Sequence, residues 1–114
     1  MSRVVLVVDD EPLVLDITTS MLFDLGCEVV TAADADQALE MLSTDSRIEI
    51  LITDINMPGM DGYALAQAAK HMRKELNVIL LSGREGEGHS FPLVRKPFSK
   101  DDLVKTMARN TGLC

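Results

Sequence analysis

The tightest constraint on the fold is a set of short, nearly continuous aliphatic runs at Val4–Val8, Ile48–Ile52 and Val78–Leu81. A strand with one wet face alternates apolar and polar residues. These runs do not, so both of their faces must be covered, as in a parallel sheet with helices on each side. Their Val and Ile content suits strands as well. Two weaker candidates, Glu28–Thr31 and Pro92–Arg95, are shorter, and the second opens with a proline. Both fit sheet edges better than the centre.

Helical patterns fill the gaps. Pro12 suits a first helical turn, where its missing N–H costs nothing, and Val14, Ile17, Met21 and Leu25 follow at helical spacing. Asp34 and Gln37 form a candidate capping box for a helix burying Ala38, Leu39 and Leu42. Asp61 can cap a helix with Leu65, Ala69 and Met72 inward, and Ser99 with Asp102 opens a last helix with Leu103, Val104 and Met107 inward. Strand–helix alternation of this kind predicts a doubly wound α/β domain. With 114 residues, the expectation is one domain over 1–114.

Charge narrows the partners. Eleven basic residues stand against 18 acidic ones, a net of −7. That argues against a nucleic-acid-binding surface, which needs a basic patch, and against docking on an anionic membrane. No apolar run is long enough to span a bilayer, and Asp9 and Asp10 interrupt the first one, so no signal peptide is expected and the chain reads as cytoplasmic. Two cysteines far apart in sequence, Cys27 and Cys114, argue against a disulfide framework or a zinc site and for a reducing compartment. Cys27 is expected as a small buried apolar residue.

The chemistry gathers at predicted strand ends. Asp9 and Asp10 follow the first strand and Asp54 follows the third, while Ser82 ends the fourth and Lys96 ends the fifth. Open parallel sheets bind ligands at the carboxyl ends of their strands, where the strand order reverses. If the first and third strands are neighbours, three carboxylates converge and raise one another's pKa values. A divalent cation resolves that conflict, and a mixed set of carboxylates, a backbone carbonyl and water suits Mg²⁺. Carboxylate, cation, ammonium and hydroxyl are together what phosphoryl transfer requires.

In VLVVDDEP (Val5–Pro12), LITDINMPGMDG (Leu51–Gly62), VILLSG (Val78–Gly83) and RKPF (Arg95–Phe98) the chain resembles the receiver (CheY-like) domains of bacterial two-component response regulators, from Arg3 to about Arg109. The resemblance implies a five-stranded flavodoxin-like sheet of order 2-1-3-4-5. It implies Asp54 as phosphoacceptor, and Mg²⁺ held by Asp10 and Asp54, by Asp9 mostly through water, and by the backbone carbonyl of Asn56. It further implies Ser82 as switch hydroxyl, Lys96 as partner of the phosphoryl oxygens and a cis Lys96–Pro97 bond. Pro58 and Gly59 would sit at the centre of a type II turn. The implied partners are a histidine kinase or a histidine phosphotransfer protein, with no nucleic acid and no membrane, and the implied state is a monomer or weak dimer. The implied role is a switch, not an enzyme.

Two departures stand out. Only 13 residues separate Ser82 from Lys96, and the stretch Gly83–Phe91 holds three glycines. After the last strand, roughly nine positions remain, below the dozen or so that a parallel crossover usually needs. An extended loop, or at most one helical turn, is expected where receivers carry their fourth helix. Leu93 occupies the position of the usual switch aromatic, three residues before the Lys, so signal is expected to leave through Ser82, the 83–90 segment or the first helix. The short segment, with RKPF and SKDDL after it, also resembles receivers fused to the C-termini of hybrid histidine kinases. Two other functions share part of the pattern: a pseudo-receiver that binds without being phosphorylated, and an aspartyl-phosphate hydrolase of the haloacid dehalogenase kind. The hydrolase family has an acid/base Asp two residues after its nucleophile, where this chain has Asn56.

Overall fold

The aliphatic runs form the middle of one five-stranded parallel sheet: β1 (Val4–Val8), β3 (Ile48–Asp54) and β4 (Asn77–Ser82). The short strands β2 (Glu28–Ala32) and β5 (Leu93–Arg95) are its edges, in the order β2-β1-β3-β4-β5. The computed structural model describes residues 3–57, 59–83, 91–110 and 112. The doubly wound architecture matches the expectation from the alternating pattern, and the strand order is the one that the resemblance implies. β1 is buried at all five positions, as the absence of polar alternation in its sequence requires.

Among the described residues, four helices cover the two faces: α1 (Pro12–Asp24), α2 (Ala35–Thr44), α3 (Gly62–Met72) and α4 (Lys100–Asn110). Val4, Leu6 and Val8 of β1 pack with α2 and α3 residues such as Ala38, Leu42 and Leu65. Val5 and Val7 pack on the other side with Leu22 of α1 and with Leu103 and Met107 of α4. The β1–β3 register slips between Val4 and Val5, so that Val4 pairs with Ile48 and Val5 with Ile50. That irregularity turns Glu49 out, where it meets Arg3 at 3.4 Å.

The predicted helix starts are present. Gln37 N–H donates to Asp34 Oδ1 (2.8 Å), and Ala64 N–H donates to Asp61 Oδ1 (2.8 Å). Ser99 and Asp102 close a reciprocal box, with Asp102 N–H donating to Ser99 Oγ and Ser99 N–H to Asp102 Oδ2. The hydrogen bonds from Ser99 lower the Asp102 pKa.

Three expectations need correction. On α1 the fully buried residues are Thr18 and Leu22, whereas Ile17 is 52% exposed. Thr18 can lie inward because its hydroxyl donates to the Val14 carbonyl at 2.8 Å. On α3 Met72 is 44% exposed, because Ala69 already ends the buried stripe and the helix stops at Met72. Cys27 is buried as expected, but it is disulfide-bonded and not a free thiol. Cys114, the other cysteine of the sequence, lies outside the described residues.

β4 and β5 are parallel neighbours joined by residues 83–92. Among the described residues no helix lies between them. Residues 84–90, on which the expected loop falls, lie outside the described residues, as does Pro58. Gly59 has φ +79°, the conformation a type II turn requires of its third residue. Among the described residues, no helix is long and apolar enough to cross a membrane.

Candidate functional site

Adjacent pairing of β1 with β3, and of β3 with β4, brings the ends of three strands to one edge of the sheet. Asp9 follows β1 and is buried; its amide donates to the Ala32 carbonyl of β2. Asp54 is the last residue of β3 and is 3% exposed. The Ile55 amide donates to the Leu81 carbonyl at 3.0 Å, so the chain beyond Asp54 stays tied to β4.

Lys96 joins the two carboxylates. Its Nζ lies 3.2 Å from Asp9 Oδ2 and 3.2 Å from Asp54 Oδ1. Lys96 reaches this position because its amide donates to the Ser82 carbonyl at the end of β4, and the Lys96–Pro97 bond after it is cis. Ser82 is buried at the same edge.

The electrostatics follow from burial and crowding. Burial raises the Asp54 pKa, Lys96 pulls it down, and Asp9 pushes it up again; the outcome is an acid weaker than an ordinary Asp. The Asn56 amide hydrogen-bonds the Asp54 carboxylate and favours its charged form. Burial works against the Lys96 ammonium, but Asp54 and Asp9 outweigh it and hold the Lys96 pKa above its usual value.

Asp9, Glu11 and Asp54 each place a carboxylate oxygen within 4.8 Å of the others, a group that could hold a metal ion. This donor set of three hard oxygens fits Mg²⁺. Asp10 is exposed and outside that group. Glu11 was not among the residues that sequence reasoning selected. The signal was present in the Asp9-Asp10-Glu11 run, but only folding shows which side chains of the run meet Asp54. The Glu11 amide donates to Asp9 Oδ1 at 2.9 Å and helps to hold that carboxylate in place.

Gly62 is a second omission. Its amide donates to the Ile55 carbonyl at 2.8 Å, and a Cβ there would meet the Asp54 carbonyl oxygen and sit 2.7 Å from the Ile55 Cα. Both obstacles are backbone. Gly62 therefore lets the start of α3 close directly onto the residue after Asp54. Gly62→Ala is expected to cost about 2 kcal/mol through this overlap, measured as a lower urea midpoint at unchanged m-value.

Leu93 opens β5 and is half-buried. His71 is exposed in the last turn of α3. His89 lies outside the described residues.

Residues 5–108 match the family model described as the response regulator receiver domain. The sensor histidine kinase RcsC of Salmonella typhimurium is 40% identical over 112 residues, which cover 91% of this chain and 12% of RcsC. Protein PilG of Pseudomonas aeruginosa is 34% identical over 110 residues, covering 88% of this chain and 81% of PilG. Among solved structures, the chemotaxis protein CheY4 of Vibrio cholerae superposes with a TM-score of 0.88 at 28% identity, covering 96% of this chain and 98% of that one. The receiver domain of the hybrid histidine kinase CckA superposes with a TM-score of 0.81 at 30% identity, covering 93% of this chain and 96% of that one. With this sheet order, this acidic edge and these relatives, the chain belongs to the receiver domain family of two-component response regulators.

Proposed function

We propose that residues 1–114 form one receiver domain in which Asp54 accepts a phosphoryl group from a phosphohistidine donor. The observation that carries this reading is the Lys96 ammonium, 3.2 Å from both buried carboxylates at the carboxyl edge of the sheet. An Asp54 oxygen forms a bond to phosphorus as the phosphorus–nitrogen bond breaks, and the electron pair leaves on the donor imidazole. Lys96 stands where the transferred oxygens arrive and can exchange its contact with the Asp54 carboxylate for one with the phosphoryl group. Ser82, buried at the end of β4, supplies a hydroxyl at the same edge. Asp10 and Asp54 would hold Mg²⁺ directly with the Asn56 backbone carbonyl, and Asp9 would act mostly through water. A bound Mg²⁺ supplies neutralisation of the phosphoryl oxygens.

A switch and not a turnover enzyme is the reading that Asn56 supports, since no carboxylate stands two residues after Asp54 to act as acid and base. The donor is a histidine kinase or histidine phosphotransfer protein, and the place of action is the cytoplasm. Incubation with acetyl phosphate and Mg²⁺, followed by intact mass, tests the proposal. One phosphoryl adduct that requires Mg²⁺ is the expected result. No adduct would leave a pseudo-receiver, and rapid release of phosphate over many turnovers would make the protein a hydrolase.

A further inference from the structure

We propose that Cys27 and Cys114 form a reversible thiol–disulfide couple that fastens the chain beyond α4 to the start of β2. The couple is independent of phosphoryl transfer at Asp54. Cys27 is disulfide-bonded, and the sequence holds one other cysteine, Cys114. The described residues lead the chain toward such a pairing. Cys27 is 4% exposed and packs with Leu103 and Met107, the buried residues of α4. Beyond that helix the Gly112 amide donates back to the Met107 carbonyl at 2.7 Å, and Gly112 has φ +79°, a turn that glycine takes freely. The turn brings Gly112 against Arg3, where a Cβ would lie 3.5 Å from the guanidinium. Arg3 in turn neighbours Cys27, since its carbonyl accepts from the Glu28 amide at 2.9 Å. Two residues of chain reach roughly 7 Å, which tethers Cys114 to this end of the sheet.

The compartment makes such a bond a switch. Disulfides in a reducing cytoplasm, the place of action proposed for this domain, are mostly transient and redox-sensing. Closure removes two electrons and two protons from the two thiols, and a low-molecular-weight disulfide such as oxidised glutathione is the oxidant. Cys27 is buried, so the exchange starts from Cys114. The Cys114 thiolate attacks the oxidant and expels one glutathione. The Cys27 thiolate then attacks the mixed disulfide and expels the second, and the two leaving thiolates take up the two protons. Closed, the bond holds α4, which begins at Lys100 shortly after Lys96, against the sheet. Open, that tie is lost.

Thiol counting and melting in glutathione buffers test the couple on the whole chain. After oxidised glutathione, alkylation with iodoacetamide in denaturant and intact mass should show a single chain with no alkylated cysteine. After excess reduced glutathione, both cysteines should be alkylated. The oxidised form is expected to melt roughly 10–20 °C above the reduced form, because the bond closes a loop of most of the chain. Cys114→Ser, which leaves the buried Cys27 in place, should melt at one temperature in both buffers, close to that of reduced wild type. Two alkylated cysteines after oxidised glutathione, or a bond that links two chains, would overturn the pairing. Equal melting of the oxidised and reduced wild type would overturn the clamp. A bond that stays closed in excess reduced glutathione would overturn the switch and make the disulfide a fixed staple.

Discussion

In the absence of divalent cations, Lys96→Met is expected to destabilise the fold by about 3 kcal/mol at neutral pH, because removing one partner of a buried ion pair leaves the other uncompensated. Here two carboxylates are left at once. Asp9 and Asp54 are both buried, and each is 3.2 Å from the Lys96 nitrogen. The pH dependence identifies the cause. As pH falls, Asp54, whose pKa burial already raises, takes up a proton, so the deficit of the variant should shrink. At the alkaline end the difference should close again. The Lys96 pKa is raised by folding, so its stabilising contribution is present below the ordinary lysine range and is lost as pH rises through the higher folded value. Urea denaturation at several pH values measures both limbs. A constant deficit across the range would assign the effect to packing of the lysine stem. Addition of MgCl₂ should recover part of the lost stability.

Asp54→Asn should separate function from stability in opposite directions. Phosphoryl uptake from acetyl phosphate is expected to vanish. Metal-free stability is expected to rise, since burial and the Asp9 charge oppose ionisation of Asp54 more than Lys96 favours it. The sign follows from linkage. Folding raises the Asp54 pKa, so the native state holds this proton more tightly than the unfolded chain, and the ionised group costs stability above the ordinary Asp range. The gain from Asn should therefore grow as pH rises through that range toward neutrality and disappear in acid. A gain of about 1 kcal/mol corresponds to roughly 4–8 °C in melting temperature for a domain of this size. With Mg²⁺ present the order should reverse. Wild type gains about 2.7 kcal/mol at a hundred times the dissociation constant, and the variant, lacking one ligand, gains less at the same concentration. A drop in metal-free stability on Asp54→Asn would mean that the ion pair with Lys96 outweighs the burial of the charge.

Much of this is legible in the amino-acid sequence. β1 and β4 announce themselves because burial on both faces leaves no place for polar residues, and parallel strands place Asp9 and Asp54 at one edge once their order is known. Asp34, Asp61, Ser99 and Asp102 act locally, within four residues of their partners, so their capping roles are legible from spacing. Tertiary relations are less so. Arg73 donates to the carbonyl oxygens of Asp45, Ser46 and Ile48, tying the end of α3 to the start of β3 across 25 to 28 residues. Nothing in its sequence neighbourhood marks that role. Gly62 reads as one more turn glycine until the Asp54 and Ile55 backbone is seen against it. Thr18 breaks the apolar pattern of α1 yet is buried, since a hydroxyl satisfied on its own helix counts as apolar outward. Glu11 belongs to the same class: the acidic run is visible, and which of its members faces Asp54 depends on how α1 begins.

The most direct test of the central claim is to locate the phosphoryl group. Protein treated with acetyl phosphate and Mg²⁺ can be reduced with borohydride, which converts an aspartyl phosphate to homoserine, and then mapped by peptide mass spectrometry. The account predicts homoserine at position 54 in wild type, and none when Mg²⁺ is withheld or when Asp54 is replaced by Asn. Homoserine at another aspartate, or a phosphoryl group on His71 with position 54 unchanged, would contradict it.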